Sequence, residues 1–138
     1  MTAADLLVEG LRRRGVDWIA TLCGHGLDPL LHAAHRAGLR LIDVRNEQTC
    51  AYLADAFGRL TRRPGVCAVS SGVAQVNALT GVANARFDCA PMLLISGAGP
   101  TATAGTGHFQ DLDQVALAQP ITTFHSRTVQ AVTSPWTT

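Results

Sequence analysis

Four short apolar segments, separated by longer stretches of mixed composition, constrain the fold of this chain more than any other feature. The segments are "VDWIATL" (16–22), "LRLIDV" (39–44), "VCAVSS" (66–71) and "PMLLISG" (91–97). Each is a nearly continuous apolar run rather than an alternation of apolar and polar residues, which is typical of parallel strands buried on both faces. The sequence therefore predicts an α/β fold in which a parallel β-sheet is flanked by helices on both faces.

The stretches between these strands have the signals of helices. Apolar residues recur at helical spacing over 3–14, and further helices are predicted over 27–38, 46–63, 72–88 and 111–120. Ser71 is a plausible N-cap for the fourth helix. A last strand is predicted over 121–129. We expect one domain over residues 1–127 and an irregular or disordered tail over 128–138.

Composition excludes several classes of partner. The net charge of +1 gives no reason to expect binding to nucleic acid or to an anionic membrane, and no apolar run is long enough to span a bilayer. Only 15% of the residues are charged, which predicts a surface partly covered by another chain. The four cysteines, without CxxC spacing or a signal peptide, predict reduced, buried thiols in a cytoplasmic protein.

In open parallel sheets, ligands bind beyond the carboxyl ends of the strands, and this rule places four segments at that edge, over 23–26, 45–47, 70–74 and 96–110. Glu47 follows the second strand, where it is either a first-turn charge favoured by the helix dipole or a residue held there for chemistry. The "CGHG" segment at 23–26 follows the first strand and is either a ligand-binding turn or a tight connection between strand and helix.

Other candidate residues have simpler structural explanations. His32 and His35 lie three residues apart on a predicted helix, but no third ligand lies nearby, so a solvated helix face is expected rather than a metal site. Ser71 lacks the G-x-S-x-G context of a nucleophile and is interpreted as a helix cap. No metal ligand is predicted.

Three blocks of sequence, taken in order, resemble one family. "RNEQTCAYLADAFGRLTRRPGV" is similar to its R-H-E-x-x-A-x-x-A-x-G-x-A-R block, and "SSGVAQVNALTGVANARFDCAP" to its T-S-G-P-G-x-x-N-x-x-x-G block. "HFQDLDQVALAQPIT" resembles its F-Q-E-x-D segment. The chain resembles, over most of its length, the N-terminal pyrimidine-binding (PYR) domain of thiamine diphosphate-dependent enzymes of the acetolactate synthase-like group. The resemblance implies a thiamine diphosphate-binding fold with flavodoxin-like layering.

The resemblance also implies roles for individual residues. Glu47 would be the catalytic residue, since the matching glutamate hydrogen-bonds N1′ of the aminopyrimidine ring and activates the cofactor. That role requires a buried carboxyl group, and the apolar, small residues that follow Glu47 are compatible with one. The cofactor-binding residues implied besides Glu47 are Gly24, Val73, Ala74 and Asn77, and the substrate-side residues are His25, Phe109 and Gln110. Val73 and Ala74 replace the usual Pro-Gly, and Asn46 replaces the usual histidine.

The resemblance covers only half of a catalytic apparatus. The diphosphate and Mg²⁺ of thiamine diphosphate are held in this family by a separate PP domain through a G-D-G…N segment, which this sequence lacks. We therefore expect a lyase or transferase component that is inactive without a PP-domain subunit, in a hetero-oligomer or with self-association. Its expected reaction is decarboxylation of a small 2-oxo acid or transfer of the resulting acyl carbanion. Two alternatives remain, a non-catalytic interaction module and a truncated fragment of a larger acetolactate synthase-like enzyme.

Overall fold

The computed structural model of the chain describes residues 1–127, which form one parallel sheet with helices packed against it. The strands are β1 (Trp18–Leu22), β2 (Arg40–Asp43), β3 (Gly65–Val69) and β4 (Met92–Ser96). The helices are α1 (Ala3–Arg13), α2 (Asp28–Arg36), α3 (Glu47–Thr61), α4 (Val73–Phe87) and α5 (Gln114–Ala118). Short 3₁₀ turns span Thr101–Thr103 and Gln119–Ile121. No helix in this part of the chain is both long and apolar enough to cross a membrane.

The four strands lie in the spatial order β2-β1-β3-β4, and all neighbouring pairs are parallel. Ala20 lies opposite Cys67, which in turn lies opposite Leu94. The connection from β1 leads outwards to β2, whereas the connection from β3 leads outwards to β4 on the other side. The topological switch point therefore falls between β1 and β3, which is where doubly wound sheets bind ligands.

The sheet separates two apolar cores, which confirms the predicted layering. Successive residues of a strand point to opposite faces. Ile19 and Val66 therefore pack against α1 and α2, whereas Ala20 and Cys67 pack against α3 and α4. All five residues of β3 are buried, because this strand has neighbours on both sides and helices on both faces. β4 is half-buried throughout, as an edge strand of the described sheet.

Local sequence signals explain where most helices begin and end. Thr2 and Asp5 form a reciprocal capping box at the start of α1, and Asn46 caps α3 by accepting a hydrogen bond from the Gln48 amide. Arg62 ends α3 in the left-handed conformation, at φ 57°.

The prediction that Ser71 caps α4 was wrong. The N-cap is Gly72, which makes no side-chain cap bond, and it has a positive φ of 59°. This backbone turn directs the Ser71 hydroxyl away from the helix amides. The hydroxyl donates a hydrogen bond to the Gln110 side chain instead. A tertiary contact has therefore replaced the local one.

The predicted last strand was also wrong over 121–127, where the described chain contains no strand. Pro120 lies within the 3₁₀ turn Gln119–Ile121, because its fixed φ and missing N–H suit the first turn of a helix better than a sheet ladder. Residues 128 and 129 of that prediction, and the predicted tail over 128–138, lie outside the described residues.

The four cysteines are free thiols, but the prediction that all are buried was wrong for two of them. Cys50 and Cys67 are buried between α3 and β3, whereas Cys23 and Cys89 are exposed in the turns after β1 and α4. In the buried pair, Cys67 Sγ donates to Cys50 Sγ at 3.2 Å. This hydrogen bond, together with burial, raises the pKa of the Cys67 thiol and keeps it protonated.

We predict that a thiol-specific disulfide reagent at neutral pH modifies Cys23 and Cys89 rapidly in the native protein. Cys50 and Cys67 should react only after unfolding, because the reagent needs an accessible thiolate. A spectrophotometric thiol titration with and without denaturant measures both groups. The double variant Cys23→Ser/Cys89→Ser should lose the rapid phase, and rapid reaction in that variant would contradict the buried pair.

Candidate active site

Four connections meet at the carboxyl edge of the sheet, and each either carries candidate residues or leads into a helix that carries them. The loop after β1 carries Gly24 and His25, and the connection after β2 leads directly into Glu47. The loop after β3 carries Ser71, and the long connection after β4 carries Phe109 and Gln110. The loops after β1 and β3 flank the switch point of the sheet.

Glu47 is the first residue of α3 and is held by a side chain from the neighbouring helix. Asn77 Nδ2 donates a hydrogen bond to Glu47 Oε2 at 2.5 Å, and both residues are half-buried. No hydrogen bond from residues 1–127 reaches the other oxygen, Oε1. A carboxylate fixed through one oxygen has the other available to bind or share a proton with a ligand.

A second polar contact joins α3 to α4 at the far end of the same helix pair. Asp55 is buried and accepts two hydrogen bonds from Arg59, at 2.9 and 3.0 Å, and one from Asn84 at 2.8 Å. Arg59 also forms an ion pair with Asp88. Because Asp55 and Asn84 lie on different helices, their contact fixes the relative position of α3 and α4, and so supports the pair formed by Glu47 and Asn77.

The surroundings of Glu47 on the core side are small and uncharged. Cys50 follows one turn later on α3, and Cys67 lies on β3 beneath it, both with no exposed surface. Ala51 and Ala54 complete this layer. With the Cys67 thiol protonated, the half-buried carboxylate has small, buried residues on one side and solvent on the other, as expected for a group that meets a ligand.

The three predicted substrate-side residues lie close together. His25 Nδ1 is 2.9 Å from Ser71 Oγ, and Ser71 Oγ donates to Gln110 Oε1 at 2.7 Å. The Phe109 ring packs edge-on to the His25 ring, with 6.0 Å between centroids. Ser71 was not among the predicted site residues. Its place in the motif "SSG", between a buried strand and a helix, was the available signal, but a capping role explained it equally well.

The other predicted cofactor-binding residues differ in position. A Cβ at Gly24 would lie 2.7 Å from Ser70 Oγ, so this turn requires glycine. Val73 is 63% exposed at the start of α4, whereas Ala74 is only 5% exposed and packs in the core. The side chain of Ala74 therefore supports the fold and does not reach the surface of the site.

The two histidines on α2 do not join this cluster. His32 and His35 are exposed on α2, as predicted for a solvated helix face. Over residues 1–127, no three His, Cys, Asp or Glu side chains come together in a way that would hold a metal ion.

With this geometry, comparison with known proteins identifies the family. Residues 1–117 match the family described as "Thiamine pyrophosphate enzyme, N-terminal TPP binding domain". The chain therefore belongs to the thiamine diphosphate-dependent enzymes and contains their N-terminal cofactor-binding domain, as the three sequence blocks predicted.

Curated relatives share this domain. The chain is 39% identical over 123 residues to 2-hydroxyacyl-CoA lyase 2 of Caenorhabditis elegans, covering 89% of this chain and 19% of the relative. It is 40% identical over 130 residues to 2-hydroxyacyl-CoA lyase 2 of Danio rerio, covering 93% and 21%. It is 36% identical over 127 residues to human 2-hydroxyacyl-CoA lyase 1, covering 92% and 22%. The chain thus spans about a fifth of the length of these relatives.

Thiamine diphosphate is the cofactor of this family, and the residues at the sheet edge fit its aminopyrimidine part. Glu47 offers an oxygen that no residue of the described chain occupies, beside an amide that keeps the carboxylate in place. A ring nitrogen that binds or shares a proton is a suitable partner for such an oxygen.

Proposed function

We propose that this chain is the pyrimidine-binding part of a thiamine diphosphate-dependent lyase that acts on a 2-hydroxyacyl-CoA. The observation that carries the proposal is the Glu47 carboxylate, fixed by Asn77 at the ligand-binding edge of the sheet. The relatives quoted above, all named as 2-hydroxyacyl-CoA lyases, support this substrate class. Decarboxylation of a 2-oxo acid, or acyl transfer of the acetolactate synthase type, is the competing proposal and rests on the three sequence blocks.

The residues of this chain would contribute binding and proton control. When bound, thiamine diphosphate supplies a nucleophilic carbon and stabilises the negative charge that forms on the substrate carbon it attacks. Glu47 would hold or share a proton at the ring nitrogen N1′, and Asn77 would keep the carboxylate pointing at that nitrogen. The loops that carry His25 and Gln110 would border the substrate.

We further propose that a PP domain, on the same polypeptide or on a second subunit, completes the site and binds the diphosphate and Mg²⁺. Glu47 is only half-buried, so a second surface is needed to withdraw it from water. The outer faces of α3 and α4 also expose several large apolar side chains, which favour a partner. These residues are Tyr52, Leu53, Leu60, Val73, Val76 and Phe87. Cytoplasmic localisation stays part of the proposal.

The test is to place residues 1–127 of this chain ahead of the remainder of the Danio rerio 2-hydroxyacyl-CoA lyase 2, in place of its matching segment. We refer to this chimera, or to any complex of the chain with a diphosphate-binding domain, as the assembled enzyme. We expect consumption of a 2-hydroxyacyl-CoA that depends on thiamine diphosphate and Mg²⁺.

The control is the same chimera without its PP domain. Turnover of pyruvate or another 2-oxo acid, but not of the 2-hydroxyacyl-CoA, would favour the competing proposal. A well-folded chimera without cofactor-dependent turnover of either substrate would favour a non-catalytic module.

A further inference from the structure

Three polar side chains from three different loops form a continuous hydrogen-bonded row across the switch point of the sheet. His25 follows β1, Ser71 follows β3, and Gln110 lies in the connection after β4. Ser71 is fully buried between the other two, Gln110 is half-buried, and His25 is exposed at the outer end of the row.

The backbone around this row is tightly fixed. The Ser71 amide and the Ser70 hydroxyl both donate to the His25 carbonyl, each at 3.3 Å. A Cβ at Gly72 would lie 2.6 Å from the Gln110 Cβ, and a Cβ at Gly97 would clash with the His25 carbonyl oxygen. The three loops therefore approach as closely as they do only because glycines lie at these contacts, and the row has one defined geometry.

The proton count along the row determines the tautomer of His25. Ser71 has one hydroxyl proton, which it donates to Gln110 Oε1, an amide oxygen that carries no hydrogen. The contact of 2.9 Å to His25 Nδ1 must then use a lone pair of Ser71 Oγ, so Nδ1 carries a proton. In a neutral imidazole with a protonated Nδ1, Nε2 has a free lone pair.

We propose that Ser71 and Gln110 are positioning residues that hold His25 in the Nδ1–H tautomer, so that Nε2 accepts a hydrogen bond from the 2-hydroxyl group of the substrate. The inference rests on the proposed function and explains how the site would choose between its two candidate substrate classes. A 2-hydroxyl donates to Nε2, whereas a 2-oxo oxygen has only lone pairs and would face another lone pair. The opposite tautomer would have the opposite preference.

The tautomer is measured on the full chain, without cofactor or substrate, by long-range ¹H–¹⁵N NMR of uniformly ¹⁵N-labelled protein. At pH 8, His25 should show a protonated Nδ1 and an unprotonated Nε2. The His25→Phe variant assigns its signals, and His35→Gln on α2 serves as a control that leaves them unchanged. A His25 with a protonated Nε2 overturns the inference.

Two variants of Gln110 distinguish a specific effect on the hydrogen-bonded row from a general effect on folding. Gln110→Leu removes the acceptor of the Ser71 proton, so the hydroxyl becomes free to donate to Nδ1 and His25 should shift to the Nε2–H tautomer. Gln110→Glu retains an acceptor oxygen and should retain the Nδ1–H tautomer. Because Gln110 is half-buried in a loop, neither change requires a rearrangement of the core. An unchanged tautomer in Gln110→Leu overturns the positioning role.

The substrate preference is measured with the assembled enzyme, from the KM of a 2-hydroxyacyl-CoA and the inhibition constant of the 2-oxoacyl-CoA of equal chain length. His25→Phe keeps a ring against Phe109 but removes both nitrogens. It should lower the ratio of the 2-oxoacyl-CoA inhibition constant to the 2-hydroxyacyl-CoA KM by about 10- to 100-fold. A change below about threefold, with turnover retained, overturns the inference while the proposed function stands. Absence of 2-hydroxyacyl-CoA turnover with the predicted tautomer contradicts the proposed function but supports the positioning role.

Discussion

Replacing Glu47 with glutamine is expected to lower kcat of the assembled enzyme by about 10²- to 10⁴-fold, the usual loss when a positioned acid or base is removed. Glutamine has nearly the same shape, and its amide oxygen still accepts the hydrogen bond from Asn77. It cannot share a proton with a ring nitrogen as a carboxyl group does. The expected loss is therefore one of cofactor activation, with little change in fold. Steady-state kinetics at saturating thiamine diphosphate measures it.

The matched control for this variant is Asp28→Asn. Asp28 is the first residue of α2, as Glu47 is of α3, and both place an acidic group in the first turn of a helix. Each substitution removes a favourable charge from a helix N-terminus, which contributes about 0.3–1 kcal/mol to stability. If Glu47 were only a first-turn charge, the two variants would behave alike. Retention of kcat within a few-fold in Glu47→Gln would contradict the catalytic role.

Most of the fold could be predicted because its two strongest signals are local. Nearly continuous apolar runs indicated parallel strands, and capping residues such as Thr2 and Asn46 indicated helix starts. One of the errors lies where a local signal had a tertiary competitor. Ser71 resembles a cap, but the positive φ of Gly72 turns its hydroxyl towards Gln110. The segment over 121–127 contains apolar and β-branched residues, but the described chain has no strand there.

The members of the candidate site were chosen from the sequence and their roles stay predictions, whereas the contacts between them could not be predicted. The rule for parallel sheets directed attention to Glu47, and the sequence blocks added Asn77, which lies 30 residues further along the chain. That Asn77 donates to Glu47 follows from the packing of α3 on α4, which no local pattern encodes. No local pattern encodes the row formed by His25, Ser71 and Gln110 either, because its members come from three loops that lie far apart in the sequence. Ala74 was assigned to the cofactor by motif position, whereas its side chain packs in the core.

The contact between Gly81 on α4 and Ala51 on α3 explains why a glycine interrupts the middle of a helix. A Cβ at Gly81 would lie 2.5 Å from the Ala51 Cβ and 2.9 Å from the Ala51 carbonyl carbon. Gly81 lies four residues after Asn77, and Ala51 lies four residues after Glu47. Residues so spaced are neighbours on one helix face. The close approach of the two helices is therefore directly adjacent to the hydrogen bond that positions the Glu47 carboxylate.

We expect Gly81→Ala to lower the free energy of unfolding by about 1–3 kcal/mol, as overpacking of a core does, although alanine is the better helix former. Gly10→Ala on α1 is the matched control, because its Cβ would meet only Arg14 Nη1 at 3.8 Å. That variant should gain about 0.5–1 kcal/mol from helix propensity. Urea unfolding followed by circular dichroism measures both.

Adding Ala51→Gly to Gly81→Ala moves the methyl group to the opposite helix and should restore part of the loss, as a favourable coupling in a double-mutant cycle. Equal behaviour of Gly81→Ala and Gly10→Ala would contradict a close α3–α4 contact, and with it the packing that brings Asn77 to Glu47.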